Sequence, residues 1–119
     1  MVMSDRDEVV LCCANSYEQK YYLNPDFDRL PEAVKAEIKI MCVLFTEDIG
    51  GIILLAFDSD GNLKIQVEAE DTDYLFDEIG CGLKVKELRQ EKYELFAGLE
   101  LYYKVLTGKK APEYIFDEG

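Results

Sequence analysis

The chain has 119 residues, 25 of them Asp or Glu against 13 Lys or Arg, giving a formal net charge of −12 with no histidine. That length suits one domain, read as residues 1–119 with 1–7 and 108–119 as flexible ends, and 49% hydrophobic content excludes intrinsic disorder. The charge excludes attraction to nucleic acid or anionic lipid, and the missing imidazole removes Ser-His and Cys-His nucleophile pairs, the usual zinc ligand and the commonest general base.

The first eight residues hold three acids and no apolar stretch behind a basic start, so they do not read as a secretion signal. The longest apolar runs, residues 40–45 and 49–57, fall far short of the roughly 20 residues a membrane helix needs. A cytoplasmic location is the expectation, with no membrane partner. In that reducing compartment Cys12, Cys13, Cys42 and Cys81 stay free thiols, three of them in apolar surroundings where a thiol acts as a small hydrophobe.

Residues 8–14 form a Val- and Leu-rich run, Asn15-Ser16 is a turn signal, and residues 17–23 mix aromatics with polar side chains, which predicts a first hairpin. Its first strand is apolar on both faces and reads as an inner strand; its second reads as an edge. After Asn24-Pro25-Asp26 punctuates the chain, Pro31 suits the first position of a helix. Val34, Ile38, Met41 and Phe45 fall at spacings of four, three and four along it, and Gly50-Gly51 ends it.

Residues 52–57 are continuously apolar, Asp58-Ser59-Asp60-Gly61-Asn62 is a hairpin loop, and the returning strand alternates Leu63, Ile65 and Val67 with Lys64, Gln66 and Glu68. The loop lacks the sixth-position glycine and twelfth-position Glu of a calcium loop. The two hairpins share one pattern. They predict an α+β fold, β-β-α-β-β-α, whose four-stranded antiparallel sheet has strands 9–14 and 52–57 in the middle.

From Asp71 the chain turns helical, with Asp71, Thr72 and Asp73 as candidate caps for a turn starting at Tyr74. Gly80-Cys81-Gly82 predicts a break or kink before a long second main helix. Val85, Leu88, Lys92, Leu95, Leu99, Tyr102 and Leu106 recur along that helix at alternating spacings of three and four, the pattern of a packed seam. Lys92, Leu95, Leu99 and Tyr102 are therefore candidate interface residues. Near the end of the chain, Tyr114-Ile115-Phe116 could dock against the domain.

Glu68, Glu70, Asp71, Asp73, Asp77 and Glu78 place six carboxylates in eleven residues with no base among them. Glu70, Asp73 and Asp77 are the candidate ligands for a hard divalent cation, or an acid-base pair, since Asp73 and Asp77 would share a helix face. The competing reading is a helix N-terminus collecting acids that favour its dipole. Cys81 sits on flexible backbone, but the neighbouring acids raise a thiol pKa rather than lower it. Eight tyrosines, several of them adjacent, cannot all face one core, so some must lie at a surface or against another chain.

Several stretches carry a resemblance: Asn15-Ser16-Tyr17-Glu18, Lys20-Tyr21-Tyr22, Phe45-Thr46-Glu47-Asp48-Ile49-Gly50-Gly51, Asp73-Tyr74-Leu75 with Asp77-Glu78-Ile79-Gly80, and Leu99-Glu100-Leu101-Tyr102-Tyr103. With these the chain resembles a family of short uncharacterised proteins from clostridia-like Gram-positive bacteria, over about residues 10–106. The resemblance implies a bacterial cytoplasmic protein and carries no activity.

The reading that follows is a non-enzymatic interaction protein, a homodimer, without cofactor. Inner strands apolar on both faces need two covers: if both helices pack on one face the other must meet a second subunit, and if one helix covers each face the protein is a monomer. The alternative is a small-molecule or divalent-metal-binding protein or enzyme using the acids of residues 68–78; a further partner would be a basic protein at that acidic segment.

Overall fold

The computed structural model describes residues 8–108, so the expectations for the two ends of the chain, including Tyr114-Ile115-Phe116, lie outside the described residues. Strands β1 (Val9–Asn15) and β2 (Lys20–Leu23) form the first hairpin, followed by a 3-10 turn at Pro25–Phe27 and helix α1 (Glu32–Ile49). Strands β3 (Ile52–Phe57) and β4 (Leu63–Glu68) form the second hairpin, and helices α2 (Glu78–Glu91) and α3 (Tyr93–Thr107) complete the described residues. The sheet is antiparallel throughout in the order β2-β1-β3-β4, which places the two doubly apolar strands in the middle. Among the described residues no helix is long and apolar enough to cross a membrane.

Local chemistry explains most of the element ends. The Asn15 side chain accepts hydrogen bonds from the backbone N–H groups of Tyr17 (2.9 Å) and Glu18 (3.1 Å), closing a turn that Gln19 completes at φ 54°. That turn takes residues 16–19 out of the second strand, which is accordingly four residues long rather than seven. Pro31 stands at the N-cap of α1, one residue before its first turn. At the other end Gly50 and Gly51 adopt φ 85° and 75°. A Cβ on Gly51 would also sit 2.7 Å from the Glu68 carbonyl oxygen, so the passage from α1 into β3 requires glycine there.

The expectation of two main helices with a kink at Gly80–Gly82 is corrected. No helix starts at Tyr74; α2 begins at Glu78 and runs through both glycines, because Asp77 caps it by accepting from the Gly80 N–H at 3.0 Å. A Cβ on Gly80 would lie 2.5 Å from the Asp77 carboxylate, so this glycine serves the cap instead of breaking the helix. The break falls at Lys92, whose φ −108° and ψ 27° leave the helical region while its N–H still bonds Leu88 and its carbonyl accepts from Phe96. Two helices result because two surfaces have to be met. Helix α2 buries Cys81 and Leu88 and packs on α1, whereas α3 buries Phe96, Leu99 and Tyr103 and packs on β4. Arg89 and Glu100 fasten that end by bonding the carbonyl (3.3 Å) and the N–H (2.8 Å) of Leu63 at the start of β4.

All three helices lie on one side of the sheet. On that side Cys12, Ala14, Ile53, Leu55 and Phe57 meet Ile38, Met41, Cys42 and Phe45 of α1 together with the buried residues of α3. The Cys12 and Cys42 sulfurs are 3.7 Å apart, and Phe57 stacks on Tyr103 with ring centroids at 4.2 Å and an interplanar angle of 2°. Leu11, in the bulge between Val10 and Cys12, is buried as well.

Candidate functional site

Strand alternation sends every second residue to the other side of the sheet, and among the described residues no helix lies there. The strand pairings arrange this open face in rows. The first row is Lys20, Asn15, Ile52 and Glu68; the second is Tyr22, Cys13, Leu54 and Gln66; the third is Val10, Ala56 and Lys64. Its centre is apolar and its corners carry charge. Val10, Cys13, Ile52 and Leu54 are half-buried by their strand neighbours, Ala56 is buried, and Tyr22 is 52% exposed, yet none of these belongs to the hydrophobic core on the helix side. A sheet face that is apolar at its centre and packs on no helix is a surface suited to burial against another molecule.

The interface candidates from the helical seam are brought together, but as an inner wall. Leu99 is 2% exposed and belongs to the core, while Leu95 and Tyr102 are half-buried and packed against it. Lys92 reaches across to Glu37 of α1 at 3.1 Å. With Leu30 and Val34 these residues line a groove of about 760 Å³ between α1 and α3.

Of the acidic candidates, Asp73 and Asp77 hold the chain through their carboxylates and Glu70 through its backbone N–H. Asp73 accepts a 2.6 Å hydrogen bond from the Tyr17 hydroxyl, which in turn accepts from the Glu70 N–H at 3.1 Å. This ties the segment before α2 to the β1–β2 turn, and the bond to Asp73 pushes the Tyr17 hydroxyl above its ordinary pKa. Asp77 is the α2 cap. Among the described residues no three of Glu70, Asp73, Asp77 or other metal-ligating side chains come together as a group that could hold a metal ion. No sequence signal joins Tyr17 to Asp73, which are 56 positions apart. In the same segment Tyr74 and Leu75 are 89% and 94% exposed, and Ile79 and Leu83 are also exposed.

Burial and neighbouring groups raise the pKa of three thiols, which disfavours the nucleophilic thiolate. Cys12 is held well above the ordinary thiol pKa by its contact with Cys42 and by burial, Cys13 is raised chiefly by burial, and Cys81 by burial and then by Asp77 and Glu78. Beside the Cys12–Cys42 pair the Tyr21 hydroxyl is buried, with no hydrogen-bond partner among the described residues, and burial raises its pKa too. A pH dependence follows. Cys12 stays protonated in the fold while the unfolded chain's thiol ionises near 9.0, so its contribution is complete below that pH and is lost as pH rises beyond it. Above that pH the Cys12 thiol costs about 1.4 kcal/mol of stability per pH unit. Urea unfolding at about pH 8 and about pH 10 should show this loss, and Cys12→Ala should make it shallower; an unchanged slope in the variant would contradict it.

The chain matches no curated protein and no solved structure. The model of one family matches residues 8–111, from the residue before β1 to just past α3. The chain therefore belongs to that family, described as a family of unknown function (DUF6145).

Proposed function

We propose that this protein is a non-enzymatic interaction module that pairs with a second copy of itself through the open face of its sheet, in a reducing compartment where its thiols stay free. One observation carries the reading: all three helices cover the same side of a sheet whose two middle strands are apolar on both sides. Apolar surface removed from water on pairing contributes roughly 25 cal/mol per Å², and a two-fold pair lets one patch serve as its own complement. No described group offers a competing chemistry of comparable clarity, since Asp77 caps a helix, Asp73 holds Tyr17, and no three ligating side chains gather among the described residues.

Leu54 lies in the middle row of the face and outside the core, so Leu54→Lys separates association from folding. The variant should keep the far-ultraviolet circular dichroism of the wild type and sediment at 13.7 kDa under conditions where the wild type runs at twice that mass. A folded Leu54→Lys protein that keeps the wild-type dimer mass would remove the open face as the interface.

A further inference from the structure

Resting on the reading above, we propose that the two copies are related by a two-fold axis that runs parallel to the strands, between β1 and β3, so that Lys20 of each copy faces Glu68 of the other. Two identical sheets packed face to face can share a two-fold axis lying between them either along the strands or across them. The two arrangements set different residues opposite one another, and the rows of the open face distinguish them.

An axis along the strands keeps each row at its own level and exchanges left with right. Strand β2 then lies over the partner's β4, and β1 over the partner's β3. Lys20 and Glu68 occupy opposite ends of the same row, so each meets its opposite charge twice in the dimer. The middle rows also alternate in size across the interface: Leu54 faces Cys13, and Val10 faces Ala56, which lets the two layers interdigitate. Tyr22 meets Gln66, an aromatic with a hydroxyl against an amide that already donates to Glu8 of its own chain at 3.4 Å.

An axis across the strands reverses the order of the rows instead. It sets Leu54 against Leu54, Cys13 against Cys13 and Tyr22 against Tyr22, like upon like, and brings Glu68 to Lys64. Lys64 already has Asp58 of its own chain at 3.8 Å. Neither Lys20 nor Glu68 takes part in an ion pair among the described residues, so the first arrangement neutralises two opposite charges and the second leaves Lys20 facing no carboxylate. For a chain of net charge −12, whose copies repel each other, such cross-pairs decide orientation. Sheet twist turns the two sets of strands by about 30°, which moves the corners by a few ångström and stays within the reach of a lysine.

Sedimentation equilibrium on the full chain tests the arrangement. Lys20→Glu should raise the dimer Kd about tenfold by setting Glu against Glu at two places, and the double variant Lys20→Glu with Glu68→Lys should return to within about twofold of wild type. The control is Lys20→Glu with Glu91→Lys on α2, which has the same net charge as the double variant and should not recover, so that recovery by Glu68→Lys alone reports the cross-pair and not weaker overall repulsion. Recovery of Lys64→Glu by Glu68→Lys in place of the Lys20 pair would put the axis across the strands and overturn the proposal. If Lys20→Glu leaves Kd unchanged while Leu54→Lys still dissociates the dimer, the open face stands as interface and this axis is wrong. A wild type that is monomeric at every concentration removes the interface and the axis together.

Discussion

Leu99→Asp is expected to unfold the chain rather than to separate its subunits. Leu99 belongs to the seam that reads from sequence as a candidate interface, but its side chain is 2% exposed and packed in the core with Phe96 and Tyr103 of the same helix. Truncating such a leucine costs about 2–5 kcal/mol through lost transfer energy and the cavity left behind. A carboxylate in its place adds several kcal/mol more, because it is taken out of water and the cation lining the same groove, Lys92, is already paired with Glu37. Domains of this size hold only about 5–15 kcal/mol in total, so the folded population should collapse. Loss of the circular dichroism signal and of a cooperative thermal transition at 25 °C is the expected result. A folded monomer would instead restore the seam as the interface.

Phe57→Ala should be the next most damaging change. Phe57 ends the second middle strand and is fully buried between two aromatic rings, Tyr103 of α3 at 4.2 Å and Phe27 of the 3-10 turn at 5.6 Å. It thus joins three parts of the chain that have no backbone ladder in common. Removing a buried phenyl ring costs about 3–5 kcal/mol, and the stacked partner here loses its contact as well. Urea unfolding should show that loss as a lowered midpoint, and Phe57→Leu, which refills most of the space, should lose less. A loss under about 1 kcal/mol would mean that the ring is not a core group.

These effects set the helix side of the sheet apart from the open side, and the sequence reveals the two sides unequally. The alternation of Leu63, Ile65 and Val67 with Lys64, Gln66 and Glu68 is a direct record of which residues of β4 face the core. The doubly apolar runs in β1 and β3 likewise report their central places, since an edge strand would leave one of those faces wet. They do not report which face the helices take. That depends on the side from which α1 crosses between the hairpins and on whether α3 follows it, a three-dimensional choice that no local spacing encodes.

The helical half was less legible for a related reason. The alternation of three and four from Val85 to Leu106 continues through Lys92, with no glycine or proline beside it, so periodicity alone describes one helix, although the chain turns there to take Phe96 and Leu99 under β4. Gly80 misleads in the opposite direction. Glycine inside a helix is costly, but in the first turn, beneath the capping Asp77, it is the residue that fits. The acids around it presented two readings, a cap and a site. Asp77 is the cap, and Asp73 is drawn away to Tyr17 by a contact between distant parts of the chain.

The central claim is that the open face of the sheet is covered by a second copy, and the most direct test is sedimentation equilibrium of the wild-type chain over a wide range of concentration. A mass that rises with concentration to a plateau at twice 13.7 kDa, without higher species, is the predicted result. A mass that stays at 13.7 kDa at every concentration would contradict it.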